Sequence, residues 1–331
     1  MLTSRGQRGV NSDELRRAAE VVARIAIRTP VVPAPLLSRA SGGRPVWLKL
    51  ENLQVTGSFK VRGAANRMAV LDEVQRARGV VTCSSGNHGR AVAYVAESFG
   101  IPATVCVPEW VDPTKLEAIR GHGATAVVSG ATYDEAEARS LEIQAAQGLA
   151  FVHPFDDACV IAGQGTIGLE LLEQVPDLAT VVVPLSGGGL IAGVAAAVKA
   201  ARPEVEVVGV SAANASVMYQ SVQAGAPQVV PEEDTVANAL AGGIGAENHH
   251  TFDLVRQLVD THVVVSEEEI REGMRFAALE QHVVVEGGGA VGIAALLQHC
   301  LTDRPGPVAV VVSGGNVDGA LLREVLAANP G

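Results

Sequence analysis

Short runs of β-branched residues recur along this chain with helix-length stretches between them, and that alternation restricts the fold more than any other feature. The runs fall at 79–82, 103–107, 124–128, 150–153, 180–183, 205–210, 262–265 and 308–312. They are short for helices and mostly apolar throughout, as strands buried on both faces are. Segments with 3.6-residue periodicity lie between them, among them 169–175 and 267–279. Strand, helix and strand in succession imply βαβ units and largely parallel sheet. The strands are numerous for one sheet, so the expectation is an α/β protein with two doubly wound open sheets.

Before the first run, Asn11 with Glu14 three residues on predicts a capping box that opens a helix over 13–27. Thr29-Pro30 stops it, and a hairpin-like stretch ending in Val46-Trp47-Leu48-Lys49-Leu50 follows. The 331 residues are 48% apolar but only 3% aromatic, with 36 glycines, which suits small-residue helices packed closely on sheets and excludes disorder or a coiled coil. A net charge of −11, with the acids dispersed, excludes a broad basic face for nucleic acid. No apolar run approaches the roughly 18 residues of a membrane span, and charges from Asp13 to Arg17 interrupt any leader-like core. Cys83, Cys106, Cys159 and Cys300 lack metal-site spacing and read as buried, reduced thiols, so the expected location is the cytoplasm.

Four polar or glycine-rich segments fall at strand-to-helix turns, where open α/β sheets hold ligands. In Thr56-Gly57-Ser58-Phe59-Lys60-Val61-Arg62-Gly63-Ala64, a lysine at a helix start beside small residues has a setting that disfavours its charge and makes it an amine nucleophile. Read alone, it is also a solvated surface lysine. Cys83-Ser84-Ser85-Gly86-Asn87-His88-Gly89 offers amides and hydroxyls to an anion, or is simply a capped turn. Pro184-Leu185-Ser186-Gly187-Gly188-Gly189-Leu190 lets amides converge on a phosphate, as dinucleotide-binding loops also do, although it is not a clean GxGxxG. Val312-Ser313-Gly314-Gly315-Asn316 presents a hydroxyl suited to a heterocyclic nitrogen, or is a glycine-rich turn. Together, an amine, a phosphate cradle, an anion-binding turn and a hydroxyl match the needs of a phosphorylated aldehyde cofactor.

At these residues the chain resembles the threonine/serine dehydratase branch of the fold-type II pyridoxal-phosphate enzymes, over nearly its whole length and with the four motifs in the family's order. The resemblance implies a tryptophan-synthase-β-like fold, with a small domain at 55–153 inserted into a larger one made of 1–54 and 154–331. It implies pyridoxal 5'-phosphate bonded to Lys60, flanked by Phe59, with Asn87 at the ring hydroxyl and Ser313 at the ring nitrogen. Ser186, Gly187, Gly188, Gly189 and Leu190 would hold the phosphate, and Glu286 would lie near the ring. Ser84, Ser85, Gly86, His88 and Asn238 would face the substrate, and Ser85 is placed to exchange a proton on the side opposite Lys60. The implied reaction is loss of water and then ammonia from a small hydroxy-amino acid, and the implied assembly is a homodimer.

Three departures stand out. Ser186 replaces the first of four glycines in the family's phosphate loop, where its hydroxyl would add a phosphate contact. Gly209-Val210-Ser211-Ala212-Ala213-Asn214 has no carboxylate where cation-dependent relatives carry acidic ligands, so no metal is expected. Ala237-Asn238-Ala239 stands where dehydratases and serine racemases have Ala-Asp-Gly, and Gly242-Gly243-Ile244-Gly245 is closer to dehydratases of hydroxyectoine breakdown. The chain ends soon after Ser313, so isoleucine feedback through a further domain is not expected. An amino-acid racemase, a β-replacement synthase, a nucleotide-binding oxidoreductase and a non-catalytic binding module remain the alternatives.

Overall fold

The computed structural model describes residues 10–84, 86–301 and 305–328. Its strands are β1 (Val31–Pro33), β2 (Val46–Leu50), β3 (Val80–Cys83), β4 (Ala103–Val107), β5 (Thr125–Val128), β6 (Ala150–Phe151), β7 (Thr180–Pro184), β8 (Glu206–Ala212), β9 (Thr261–Val265) and β10 (Val308–Val312). They form two sheets, a six-stranded one in the order β1-β2-β10-β7-β8-β9 and a four-stranded one in the order β5-β4-β3-β6. Every pairing is parallel except β1 with β2. The small sheet is built wholly from chain between β2 and β7, so the smaller unit is inserted into the larger.

Both faces of the large sheet are covered, which explains why its strands are apolar throughout. Leu48, Val182, Val208, Val310 and Val312 meet helices Glu267–Leu279 and Gly287–Leu297 on one side. Val181, Val183, Val207, Ala309 and Val311 meet Ala158–Gln174 and Gly189–Ala201 on the other. In the small sheet, Val80 and Val105 face helices Lys60–Ala69 and Asn87–Phe99, and Val81 and Cys106 face Ile143 of Tyr133–Gln147. Small residues let the layers approach closely: a Cβ on Gly193 would overlap the carbonyl oxygen of Ile161 in the neighbouring helix.

In each sheet the chain steps outward and then returns to the other side of its starting strand. From β7 it passes to β8 and β9 and comes back to β10 beside β7; from β3 it passes to β4 and β5 and comes back to β6 beside β3. These reversals are the switch points at which strand ends splay apart and leave room for a ligand. The motifs after β3, β7 and β10 lie there.

Three local expectations change. The Asn11 capping box is present, but the helix ends at Val22 rather than 27. The side chain of Gln54 takes both backbone groups of Ile27, accepting from its N–H at 3.1 Å and donating to its carbonyl at 2.6 Å. β1 and β2 are antiparallel but separated by helix Pro35–Ala40, so they do not form a tight hairpin. β6 stops at Phe151, and the next carbonyl, that of Val152, serves side chains. Thr82 Oγ1 and His88 Nε2 both bond Val152 O at 2.9 Å.

The four cysteines are free, as expected, but only Cys83 and Cys106 are buried. Cys300 is exposed in the turn that follows helix Gly287–Leu297. No helix among the described residues is long and apolar enough to cross a membrane.

Candidate active site

Lys60 is brought to the end of β10 by lacing between two loops. Ser58 forms an isolated bridge with Gly314, Phe59 N–H donates to Ser313 O at 3.1 Å, and Gly315 N–H donates to Gly57 O at 2.9 Å. Lys60 then opens helix Lys60–Ala69. Part of its side chain remains accessible, but the amine is enclosed, donates to Pro154 O at 2.8 Å and lies 5.2 Å from the centroid of the Phe59 ring. Burial lowers its pKa from 10.5 to about 8, against the opposing charge of Glu286. This is not the setting of a solvated surface lysine, and it fits the amine nucleophile expected from the sequence.

The helix that carries Lys60 is anchored by a buried charge cluster that no sequence motif announced. Arg62 is fully buried and bonds Glu51 through Nε and Nη2, both at 2.8 Å, and Glu170 through Nη1 at 2.7 Å and Nη2 at 3.0 Å. Lys49, also fully buried, donates to Glu170 Oε2 at 2.5 Å and to Gln174 Oε1 at 2.8 Å. Two cations and two carboxylates balance, so each charge keeps a partner out of water. Burial works against the charge on Arg62, but the two carboxylates outweigh it and hold its pKa above the usual value.

At the end of β3, Ser84 Oγ accepts from the N–H of Gly86, and Asn87 begins helix Asn87–Phe99. Asn87 Nδ2 donates to Glu286 Oε1 at 2.6 Å. His88 is buried beneath this turn, and burial with the nearby Lys60 pushes its pKa down to about 3, so the ring is neutral. Ser85 lies outside the described residues.

The glycine loop after β7 turns into helix Gly189–Ala201 through Gly188, whose φ is +87°. A Cβ there would lie 2.9 to 3.1 Å from atoms of Met218, Thr251 and Val255. Gly187 lies against the ring of Phe155, with no room for a side chain. Leu190 is buried behind the loop. The N–H groups of the first helical turn have no intrahelical partner and carry the positive end of the helix dipole. The Ser186 hydroxyl, expected to add a phosphate contact, instead donates to Leu240 O at 2.7 Å.

Glu286 occupies the N-cap position of helix Gly287–Leu297, makes no side-chain capping bond there and is buried. Burial raises its pKa to about 7, opposed first by the bond from Asn87 and then by Lys115 and Lys60. Ser313 is buried, and its hydroxyl donates to Gly288 O at 3.3 Å. Asn238 is exposed at the start of the 3-10 turn Asn238–Leu240. Thus Lys60, Phe59, Asn87, the glycine loop, Glu286 and Ser313 gather at the strand ends, and Asn238 stands on the loop tied to Ser186.

These residues fit pyridoxal phosphate. They offer one enclosed amine, a side-chain-free cradle at a helix start, an amide donor and a buried hydroxyl. Ser58 Oγ adds a buried polar atom without a protein partner. In the carboxylate-free stretch after Gly209, Ser211 Oγ donates to Leu185 O at 2.9 Å. Among the described residues, no group of three or more His, Cys, Asp or Glu could hold a metal ion.

A family model described as pyridoxal-phosphate dependent enzyme matches residues 22–314. The chain belongs to this family. Among curated relatives, the L-threonine ammonia-lyase of Thermotoga maritima is 43% identical, over 96% of this chain and 78% of that protein. Among solved structures, maize serine racemase superposes with a TM-score of 0.90 at 36% identity, covering 96% of both chains. Threonine deaminase isoform 2 of Solanum lycopersicum superposes with a TM-score of 0.89 at 33% identity, covering 99% of this chain and 98% of that one. As a pyridoxal-phosphate dependent enzyme, the protein takes the cofactor its residues fit, and a small amino acid is the matching substrate class.

Proposed function

We propose that the protein is an ammonia-lyase that eliminates water from a hydroxy-amino acid of the L-threonine or L-serine type, leaving an enamine that water then hydrolyses to a 2-oxo acid and ammonia. The observation that carries this reading is the lacing of Phe59 to Ser313, which joins the enclosed amine of Lys60 to a buried hydroxyl. Bound pyridoxal phosphate supplies an electron-accepting ring conjugated to the substrate Cα. Lys60 is the residue that holds the cofactor covalently and, when free, takes the Cα proton at Nζ. A neutral serine hydroxyl lacks the negative charge with which a carboxylate keeps a ring nitrogen protonated. Ser313 therefore favours prompt loss of the β-hydroxyl over transamination.

In this reading the amides of Ser186 to Leu190 hold the phosphate, Asn87 donates to the ring oxygen, and Glu286 and Phe59 flank the ring. Ser84, Ser85 and Gly86 receive the substrate carboxylate, with His88 supporting the turn from beneath, and Asn238 stands toward the substrate's polar end. The domains are 1–54 with 154–331, and 55–153. The assembly is a homodimer in the cytoplasm.

The likeness to maize serine racemase favours a second reading, racemisation, with Ser85 exchanging the proton opposite Lys60. Asn238 in place of aspartate leaves room for a specialised substrate such as a hydroxyectoine-derived amino acid. One assay separates these readings: the loaded enzyme is given L-threonine, L-serine, 3-hydroxyaspartate and the specialised amino acid, and both 2-oxo acid release and enantiomer ratio are followed. Rapid 2-oxo acid from threonine or serine, lost in Lys60→Ala, is the expected result. D-serine without 2-oxo acid would replace the lyase reading with the racemase one.

A further inference from the structure

Four side chains form a single hydrogen-bonded line across the junction of the two sheets. Arg90 Nη1 donates to Asn316 Oδ1 at 3.0 Å, Asn316 Nδ2 donates to Asn87 Oδ1 at 2.7 Å, and Asn87 Nδ2 donates to Glu286 Oε1 at 2.6 Å. Asn87 and Arg90 share the helix after β3, whereas Glu286 and Asn316 flank β10.

The ends of this line decide which way each amide faces. An asparagine amide has an acceptor oxygen and a donor nitrogen of nearly equal size, so its orientation follows from its partners. Arg90 can only donate, which turns Asn316 Oδ1 toward it. Asn316 Nδ2 also donates to the carbonyl of Thr56 at 2.9 Å, a group that can only accept. Asn87 must therefore show its oxygen to Asn316 and its nitrogen to Glu286. The second hydrogen of Asn87 Nδ2 is left for a ligand.

We propose that Arg90 and Asn316 are positioning residues that lock the Asn87 amide with its nitrogen facing the cofactor site. This rests on the reading that Asn87 meets the cofactor. Without the lock, rotation of the amide would present an oxygen where a donor is needed and set it against the carboxylate of Glu286. A network that merely joined the two sheets would affect stability alone. An orientation lock also changes how the cofactor is held, and it makes the effect of Arg90 depend on Asn316.

The test uses full-length Asn87→Ala, Asn316→Ala, Arg90→Ala, Arg90→Lys and the double variant Arg90→Ala/Asn316→Ala. Three quantities are measured without substrate: the dissociation constant for pyridoxal phosphate, the pH midpoint of the visible absorbance of the loaded protein, and the melting temperature of the apoprotein. Asn316→Ala is expected to weaken cofactor binding about tenfold, the size of one charge-assisted hydrogen bond, and to move the pH midpoint. Arg90→Ala should move both in the same direction, and Arg90→Lys, which can still donate, should restore them. The double variant should match Asn316→Ala, because the two residues act in series.

If Asn87→Ala changes binding and absorbance while Asn316→Ala changes only the melting temperature, the lock is refuted and the reading of Asn87 stands. Additive losses in the double variant refute it equally. If Asn87→Ala leaves both cofactor properties unchanged, the assignment of Asn87 falls and takes the lock with it.

Discussion

Replacing Glu286 with glutamine tests whether Lys60 is a nucleophile because of where it is buried. An ordinary lysine titrates at 10.5, and enclosure brings Lys60 to about 8. At neutral pH, that difference raises the free-amine fraction from about 0.03% to about 9%, a gain of about 300-fold. Glu286 opposes the shift, since its charge favours the ammonium form. Its own pKa of about 7 means that this opposition grows as pH rises through neutrality. Glutamine keeps an oxygen able to accept from Asn87 but carries no charge, so the pKa of Lys60 should fall further in Glu286→Gln.

Stopped-flow mixing of apoprotein with pyridoxal phosphate, from about pH 6 to about pH 10, reads the amine directly through the appearance of visible absorbance. The wild-type rate should rise with pH to a midpoint near 8, and the variant midpoint should lie lower. A wild-type midpoint close to 10.5, the value of a solvated lysine, would refute the burial argument. An unchanged midpoint in the variant would remove Glu286 from it. The same shift fixes the sign of a stability effect. Between about 8 and 10.5 the unfolded chain binds more protons at this lysine than the folded one. Its contribution therefore makes the apoprotein more stable as pH rises through that window.

Arg62→Met would leave the buried carboxylates of Glu51 and Glu170 with only Lys49 nearby, at a cost of about 3–5 kcal/mol. At roughly 2 °C per kcal/mol, that is a fall of about 6–10 °C in the melting temperature of the apoprotein by calorimetry, and a fall under about 2 °C would contradict the account. Gly188→Ala puts a Cβ at a left-handed position against Met218, Thr251 and Val255. The strain of about 1–3 kcal/mol should weaken pyridoxal phosphate binding about tenfold or more by fluorescence titration; wild-type affinity would show that the loop is not the cradle.

The sequence by itself determined the features set by neighbours along the chain. Strands β3, β4, β5, β7, β8, β9 and β10 lie where β-branched runs predict them, and helix Glu267–Leu279 has its predicted bounds. The Asn11 capping box is likewise a matter of residues three apart. The ligand motifs were legible for a related reason: glycine, serine and lysine at strand ends follow the local demands of a turn and a helix start. Only the tertiary structure decided the partners. Gln54 holds Ile27, beyond the end of the first helix, from 27 residues away, and Arg62 finds Glu170 across 108. Asn87 meets Glu286 across 199 and Asn316 across 229. No periodicity reports such separations, because side chains this far apart meet only after two sheets have packed their helices. Once buried there, a polar group must take whichever partner the packing supplies.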